Sequence, residues 1–203
     1  MSKRGIGFTV IGVLLIFGAL GLAIFNFWSD YKAGSYAAGV LAQLQKEMPE
    51  PAESVPDYVL NPDMEMPVKE IDGVCYIGTL TIPDLELELP VIRDWSYPAL
   101  KKAPCRYSGS VYQNHMVIAA HNYSRHFGRL KRLSSGAEVI FTDMDGNEFH
   151  YSVGGIETLP PKAIEEMTES DWDLTLFTCT VGGRARVALR CDRVETDAVT
   201  VTP

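Results

Sequence analysis

With 203 residues, 46% of them apolar, the chain can bury one sizeable core but leaves too little for a second domain. Its net charge of −8 is concentrated: eight acids against Lys69 alone lie between Glu47 and Asp72, and the rest is close to neutral. No basic stripe remains that would bind nucleic acid, and no internal repeat is present.

Gly5 to Trp28 runs for 24 residues without a charge, more than the ~20 a helix needs to cross a bilayer core. Lys3 and Arg4 stand before it. The positive-inside preference then puts residues 1–4 in the cytoplasm as a short tail and everything after Trp28 outside. The rival is a cleaved signal peptide, since Ser35 to Gly39 offers small residues, but its apolar core would exceed the ~7–15 residues such peptides use. A single-pass plasma-membrane protein anchored by residues 5–28 is expected.

Residues 29–70 read as a helical and then Pro- and acid-rich spacer. Asp30 to Met48 repeats Tyr31, Ala37, Val40, Leu41 and Leu44 near helical spacing, with polar residues opposite. Glu47 to Pro67 carries Pro49, Pro51, Pro56, Pro62 and Pro67 among acids, which suits an extended connection and opposes a helix. Such a segment either holds a folded domain off the membrane or is merely a disordered link.

From Ile71 the texture changes to short β-like runs, and residues 71–197 read as the folded domain, with 198–203 as a C-terminal tail. Val74 to Ile82 and Leu85 to Ile92 are strands hinged at Pro83-Asp84, and alternation from Leu85 to Leu89 puts leucines on one face. Ser96 to Lys102 forms a helical turn or two before Pro104. Tyr112 to Ala120 is a strand and Phe127 to Leu133 a short helix. Val139 to Thr142 pairs with Glu148 to Ile156 across a Gly- and Asp-rich turn. Glu157 to Asp173 is a longer connection with a helical turn at Ala163 to Met167. Two terminal strands, Leu174 to Cys179 and Arg184 to Arg190, flank Gly182-Gly183. Seven or eight short strands with brief helices indicate an all-β barrel or sandwich.

Cysteines at 75, 105, 179 and 191 make no C-x-x-C pair and no zinc-like spacing, and all four are expected reduced. Cys179 ends an apolar, Thr-bearing run, so its thiol sits at a strand end where cations of the next strand can reach it. Val117 to Ala120 likewise ends in His121, the only histidine that closes an apolar strand. A buried small hydrophobe remains the alternative for the cysteine, and a surface residue for the histidine. His115, His126 and His150 read as structural or solvated. Arg186 stands seven residues past Cys179, with Arg184 as runner-up and Arg190 farther along the same face. No metal or cofactor is called for; the acids from Asp143 to Glu148 offer oxygens for calcium, but a solvated turn suits them better.

Taken together, these blocks resemble the sortases, the membrane-anchored cysteine transpeptidases of Gram-positive surfaces. Leu80-Thr81-Ile82-Pro83 followed by Leu87 to Val91 is similar to that family's first barrel hairpin. His121-Asn122 with Phe127-Gly128-Arg129-Leu130 resembles its histidine block, Thr175-Leu176-Phe177-Thr178-Cys179 its T-L-x-T-C block, and Arg186 to Arg190 the strand bearing its arginine. The resemblance runs from Val74 to Val194. It implies a closed sortase-type β-barrel of about eight strands with a few short helices, and cleavage of a Leu-Pro-x-Thr-Gly-like sorting signal through a thioester at Cys179. It also implies transfer to an amine of a peptidoglycan precursor or a pilin lysine, the substrates being secreted proteins with a C-terminal sorting signal. His121 then moves protons and Arg186 cradles the oxyanion. Thr178 and Asn122 orient the site, Arg184 assists, and Pro160, Ile164 and Met167 offer apolar contact to the signal. His121-Asn122 and the N-terminal helix look like class B, whereas the strand after Cys179 resembles pilin-polymerising or class D enzymes. Two other readings stay open: a membrane-tethered binding domain without chemistry, and a hydrolytic cysteine peptidase.

Overall fold

The computed structural model describes residues 3–50 and 55–194. Parts of the expected tails, including all of 198–203, lie outside the described residues. Helix α1 (Lys3–Glu47) is one unbroken element of 45 residues, about 68 Å at 1.5 Å per residue. The expected anchor and the expected following helix are thus a single rod. From Gly7 to Trp28 it is apolar all round, reaches a mean hydropathy of 2.6 and is buried against nothing among the described residues, as fits a membrane anchor. Its second half buries Ala33, Ala37, Val40 and Leu44 at helical spacing against the barrel, while Tyr31 is exposed. That burial offsets the poor helix propensity of Gly34 and Gly39. At Gly34 the Arg125 side chain occupies the space a Cβ would take.

The acid-rich connection is more than a spacer. After Pro56 it makes one helical turn, α2 (Asp57–Leu60), and Tyr58 stacks on Tyr112 with ring centroids 4.6 Å apart. Met66 is buried in the main core, and Lys69 pairs with Glu47 at the end of α1. Residues 55–67 therefore lie along the folded domain, because Tyr58 and Met66 give apolar anchors to a stretch whose charge suggests only solvent.

Among the described residues nine strands follow: β1 (Lys69–Ile71), β2 (Val74–Ile82), β3 (Leu87–Ile92), β4 (Cys105–Ser110), β5 (His115–Ala119), β6 (Glu138–Asp143), β7 (Glu148–Leu159), β8 (Leu174–Cys179) and β9 (Arg186–Arg193). The order is β1-β2-β3-β4-β5-β8-β9-β7-β6, and β6 also pairs with β2. The last pairing closes eight strands, β2 to β9, into a barrel, with β1 an appendage on β2. Short helices α3 (Tyr97–Leu100) and α4 (Ile164–Thr168) interrupt the connections.

Alternation along the strands separates two cores. Met116, Ile118, Leu174, Leu176, Leu189 and Phe141 fill the barrel. Val117, Ala119, Phe177 and Ala188 face outward, where Val40, Leu44 and Met167 cover them. Several strands depart from expectation. β5 begins at His115, since Val111–Gln113 form a 3₁₀ turn ended by Asn114 at φ 50°. β4 was not anticipated: Arg106 to Ser110 is polar, and a bulge between Arg106 and Ser108 breaks the period-2 signal.

Candidate active site

The site grows from two parallel neighbours. β5 and β8 run side by side with Ala119 opposite Phe177, so both chains leave the sheet at one rim, His121 at the level of Cys179. Two bonds fix that level: Ala120 N–H donates to the Phe177 carbonyl at 3.1 Å, and the buried Thr178 hydroxyl donates to the Ala120 carbonyl at 2.8 Å. On the other side of β8, Cys179 stands opposite Arg186 in the antiparallel ladder with β9. Three consecutive strands thus bring His121, Cys179 and Arg186 to one rim, on the outward face continued from Ala119, Phe177 and Ala188.

Cys179 is half-buried and lines a cleft of about 180 Å³ with Asn122, Gly128, Thr178, Thr180 and Val181. Burial, and then the ammonium of Lys101, pushes the His121 imidazole below its ordinary value. Its ring meets Tyr123 at 5.0 Å. Arg186 is half-exposed, and its Nη1 donates to the carbonyls of Gly183 at 3.2 Å and Ala185 at 3.3 Å. The loop it leans on is closed by Thr180 N–H to Ala185 O, with Gly182 and Gly183 at φ 80° and 69°. Two successive left-handed residues are what make glycine necessary there.

The other expected site residues divide. Asn122 joins the Cys179 cleft. Arg184 does not share the β9 face as expected; the strand begins at Arg186 and Arg184 is exposed in the loop. Arg190 does share it, yet is 2% exposed and committed: it donates to Glu157 at 3.0 Å, Thr175 at 3.0 Å, Ser170 at 3.3 Å and the Glu166 carbonyl. Pro160 and Ile164 are exposed on the β7–β8 connection, whereas Met167 is buried under it and offers no surface to a ligand. The turn of α4 points Ile164 out and Met167 in.

Sequence reading missed three neighbours of His121. The charge of Lys101 acts on it from the turn after α3, Tyr123 packs beside it with the rings tilted, and His126 lies near enough to feel its charge. His126 is fully buried, neither ring nitrogen has a partner among the described residues, and burial pushes it down to about 4. This buried residue lies within electrostatic range of His121. His150 instead lies between Glu138 and Glu148 at 3.2 and 3.3 Å. No signal in the sequence points to Lys101, since only folding brings its turn to the rim.

Among the described residues no group of three or more His, Cys, Asp or Glu is placed to hold a metal. The acidic turn is exposed to solvent at Asp145 and Glu148, whereas Asp143 is buried and accepts from the Tyr112 hydroxyl at 2.8 Å and from the backbone amides of Asp145 and Asn147 at 2.9 Å. The four cysteines are free thiols.

The family model described as Sortase domain matches residues 80–194, more than half of the chain. Sortase A of Bacillus anthracis is 28% identical over 125 residues, which cover 58% of this chain and 59% of that relative, so the chain spans about three fifths of its length. A crystal structure of sortase C1 from Streptococcus suis is similar at 27% identity and a TM-score of 0.52, over 62% of this chain and 76% of that one. A sortase D5 transpeptidase from Clostridium perfringens, at 15% identity, shares the fold with a TM-score of 0.59 over 79% of this chain and 99% of its own.

Proposed function

Because the chain belongs to the sortase family, we propose that it is a membrane-anchored cysteine transpeptidase acting outside the cell on sorting signals of the Leu-Pro-x-Thr-Gly kind. The observation that supports this reading is the register: Cys179 pairs with Arg186 across β8 and β9, and His121 follows two residues after the Ala119–Phe177 pair that ends the β5–β8 ladder. The neutral imidazole of His121 takes the Cys179 thiol proton as sulfur attacks the signal's Thr carbonyl. Arg186 exchanges its loop carbonyls for the oxyanion, and its fixed positive charge stabilises the tetrahedral intermediate. The C–N bond then breaks, the leaving amine departs with the proton held on His121, and a thioester remains. An incoming amine from a peptidoglycan precursor or a pilin lysine gives its proton to His121, attacks the thioester and restores the thiol as the new amide forms.

Thr178 holds β8 against Ala120 and so sets the height of Cys179 relative to His121. Asn122 forms a wall of the Cys179 cleft, and the exposed Pro160 and Ile164 offer apolar surface to the signal. The full chain, incubated with a sorting-signal peptide with and without an added amine, is expected to give a thioester adduct on Cys179 and an amide product by mass spectrometry. Adduct without amide, with acid released to water, would make it a hydrolase; absence of any adduct would leave a binding domain.

A further inference from the structure

Between the second half of α1 and the barrel lies a cleft of about 410 Å³ that the acyl-transfer chemistry leaves unused. Trp28, Lys32 and Tyr36 of α1 line one wall, Lys101 and Lys102 the other, and Tyr123 closes the side toward His121. The cleft has three ammonium groups along its lining and no carboxylate. Among the described residues none of these lysines is in an ion pair. Lys32 Nζ lies 5.1 Å from the Trp28 ring centre and Lys102 Nζ 5.5 Å from that of Tyr36. Asp30, the acid on this stretch of α1, is engaged elsewhere, accepting the Arg125 N–H at 3.1 Å.

The height of the cleft is set by the sequence. Trp28 is the last residue of the uncharged run, so the walls stand where a bilayer's hydrocarbon gives way to its headgroups. Indole and phenol rings and lysine ammonium groups are all favourable at that level. A cation seated over a ring keeps its far side open to an anion, and the anion abundant there is lipid phosphate.

We propose that this cleft binds the phosphate headgroup of an anionic membrane lipid, held by Lys32, Lys101 and Lys102 with the rings of Trp28 and Tyr36 against the glycerol. Tyr123 connects the bound headgroup to His121, so the lipid fixes the catalytic rim at a set height above the membrane. The proposal rests on α1 crossing the bilayer and not on the thioester chemistry, so a Cys179→Ala chain binds the lipid equally well.

The test titrates the full chain, in neutral detergent, with phosphatidylglycerol, phosphatidylcholine or inorganic phosphate and counts retained molecules by native mass spectrometry. One phosphatidylglycerol is expected to stay bound at concentrations where the other two do not. Replacing all three lysines, Lys32→Ala, Lys101→Ala and Lys102→Ala, should weaken retention by on the order of 100-fold, since each juxtamembrane lysine accounts for roughly fivefold. Arginine at the same positions should preserve it. Retention by the alanine variant equal to that of the unaltered chain overturns the proposal. Phosphatidylcholine or inorganic phosphate binding as well as phosphatidylglycerol does the same, the first by removing the charge requirement and the second by removing the lipid.

Discussion

The two ends of the β8–β9 ladder carry the same side-chain type on the same face and put it to different uses. At the far end Arg190 stands opposite Thr175, buried, with its guanidinium shared among Glu157, Thr175, Ser170 and the Glu166 carbonyl. At the rim Arg186 stands opposite Cys179, half-exposed, its guanidinium bonded among the described residues only to carbonyls of its own loop. One arginine fastens the β7–β8 connection to the barrel. The other is charged, available and next to a thiol. Strand, face and residue type are common to both, so burial and partners alone assign their roles.

The largest effect expected is at the rim. Cys179→Ala should lower acyl transfer by at least about 10³-fold while leaving the melting temperature unchanged, measured with peptide and amine in one assay. Labelling sharpens the contrast: Cys105 and Cys191, buried and pushed up to about 12, should stay unmodified by an alkylating reagent until the chain unfolds. Arg186→Ala comes next, with kcat reduced by roughly 10²-fold and stability altered by less than about 0.5 kcal/mol. Arg190→Ala should do the reverse, costing about 2–3 kcal/mol in urea unfolding because it strands buried partners, with less than tenfold effect on kcat of the folded fraction. A stability loss at 186 and a rate loss at 190 would exchange the two assignments.

How far the sequence speaks follows the same division. Apolar runs ending in Cys179 and His121 mark strand ends by themselves, because period-2 hydrophobicity stops where the sheet does, and the ordered blocks were enough to indicate family and barrel. The choice among Arg184, Arg186 and Arg190 was not legible, since adjacent strand and loop positions look alike until register and burial separate them. Met167 and Ile164 are both apolar and three residues apart, and only the packing of a short helix decides which faces the core. β4 escaped notice because its residues are polar and bulged. The union of anchor and second helix was hidden by two glycines whose cost tertiary packing offsets. Lys101 and His126 left no trace, for their meaning lies in what folding brings beside them.

His126 supplies a stability effect of intermediate size. Its folded-state value, pushed down to about 4 by burial, lies below the ordinary 6.5, so the unfolded chain binds the proton first as pH falls. Stability from the neutral ring is therefore complete above pH 6.5 and is lost as pH drops toward 4. The loss amounts to roughly 2 kcal/mol at pH 5. Urea midpoints compared at pH 7 and pH 5 should show it, and His126→Phe should flatten the difference. An unchanged slope in that variant would mean carboxylates elsewhere govern the acid response.

The smallest effect tests the rim's electrostatics most directly. His121 is held below its ordinary value chiefly by burial and secondarily by the Lys101 ammonium. A neutral imidazole is the form that can take the thiol proton, so kcat/KM should fall as pH drops through the His121 value, at a point under 6.5. Lys101→Met removes a like charge, which eases protonation and moves that acid limb to higher pH, while the larger burial contribution stays. The shift should be followed in neutral detergent by rate profiles and by the His121 ring resonances together. Agreement of the two assigns the limb to His121; a limb that moves while the resonances do not assigns it to another group and removes the proton-transfer role from this histidine.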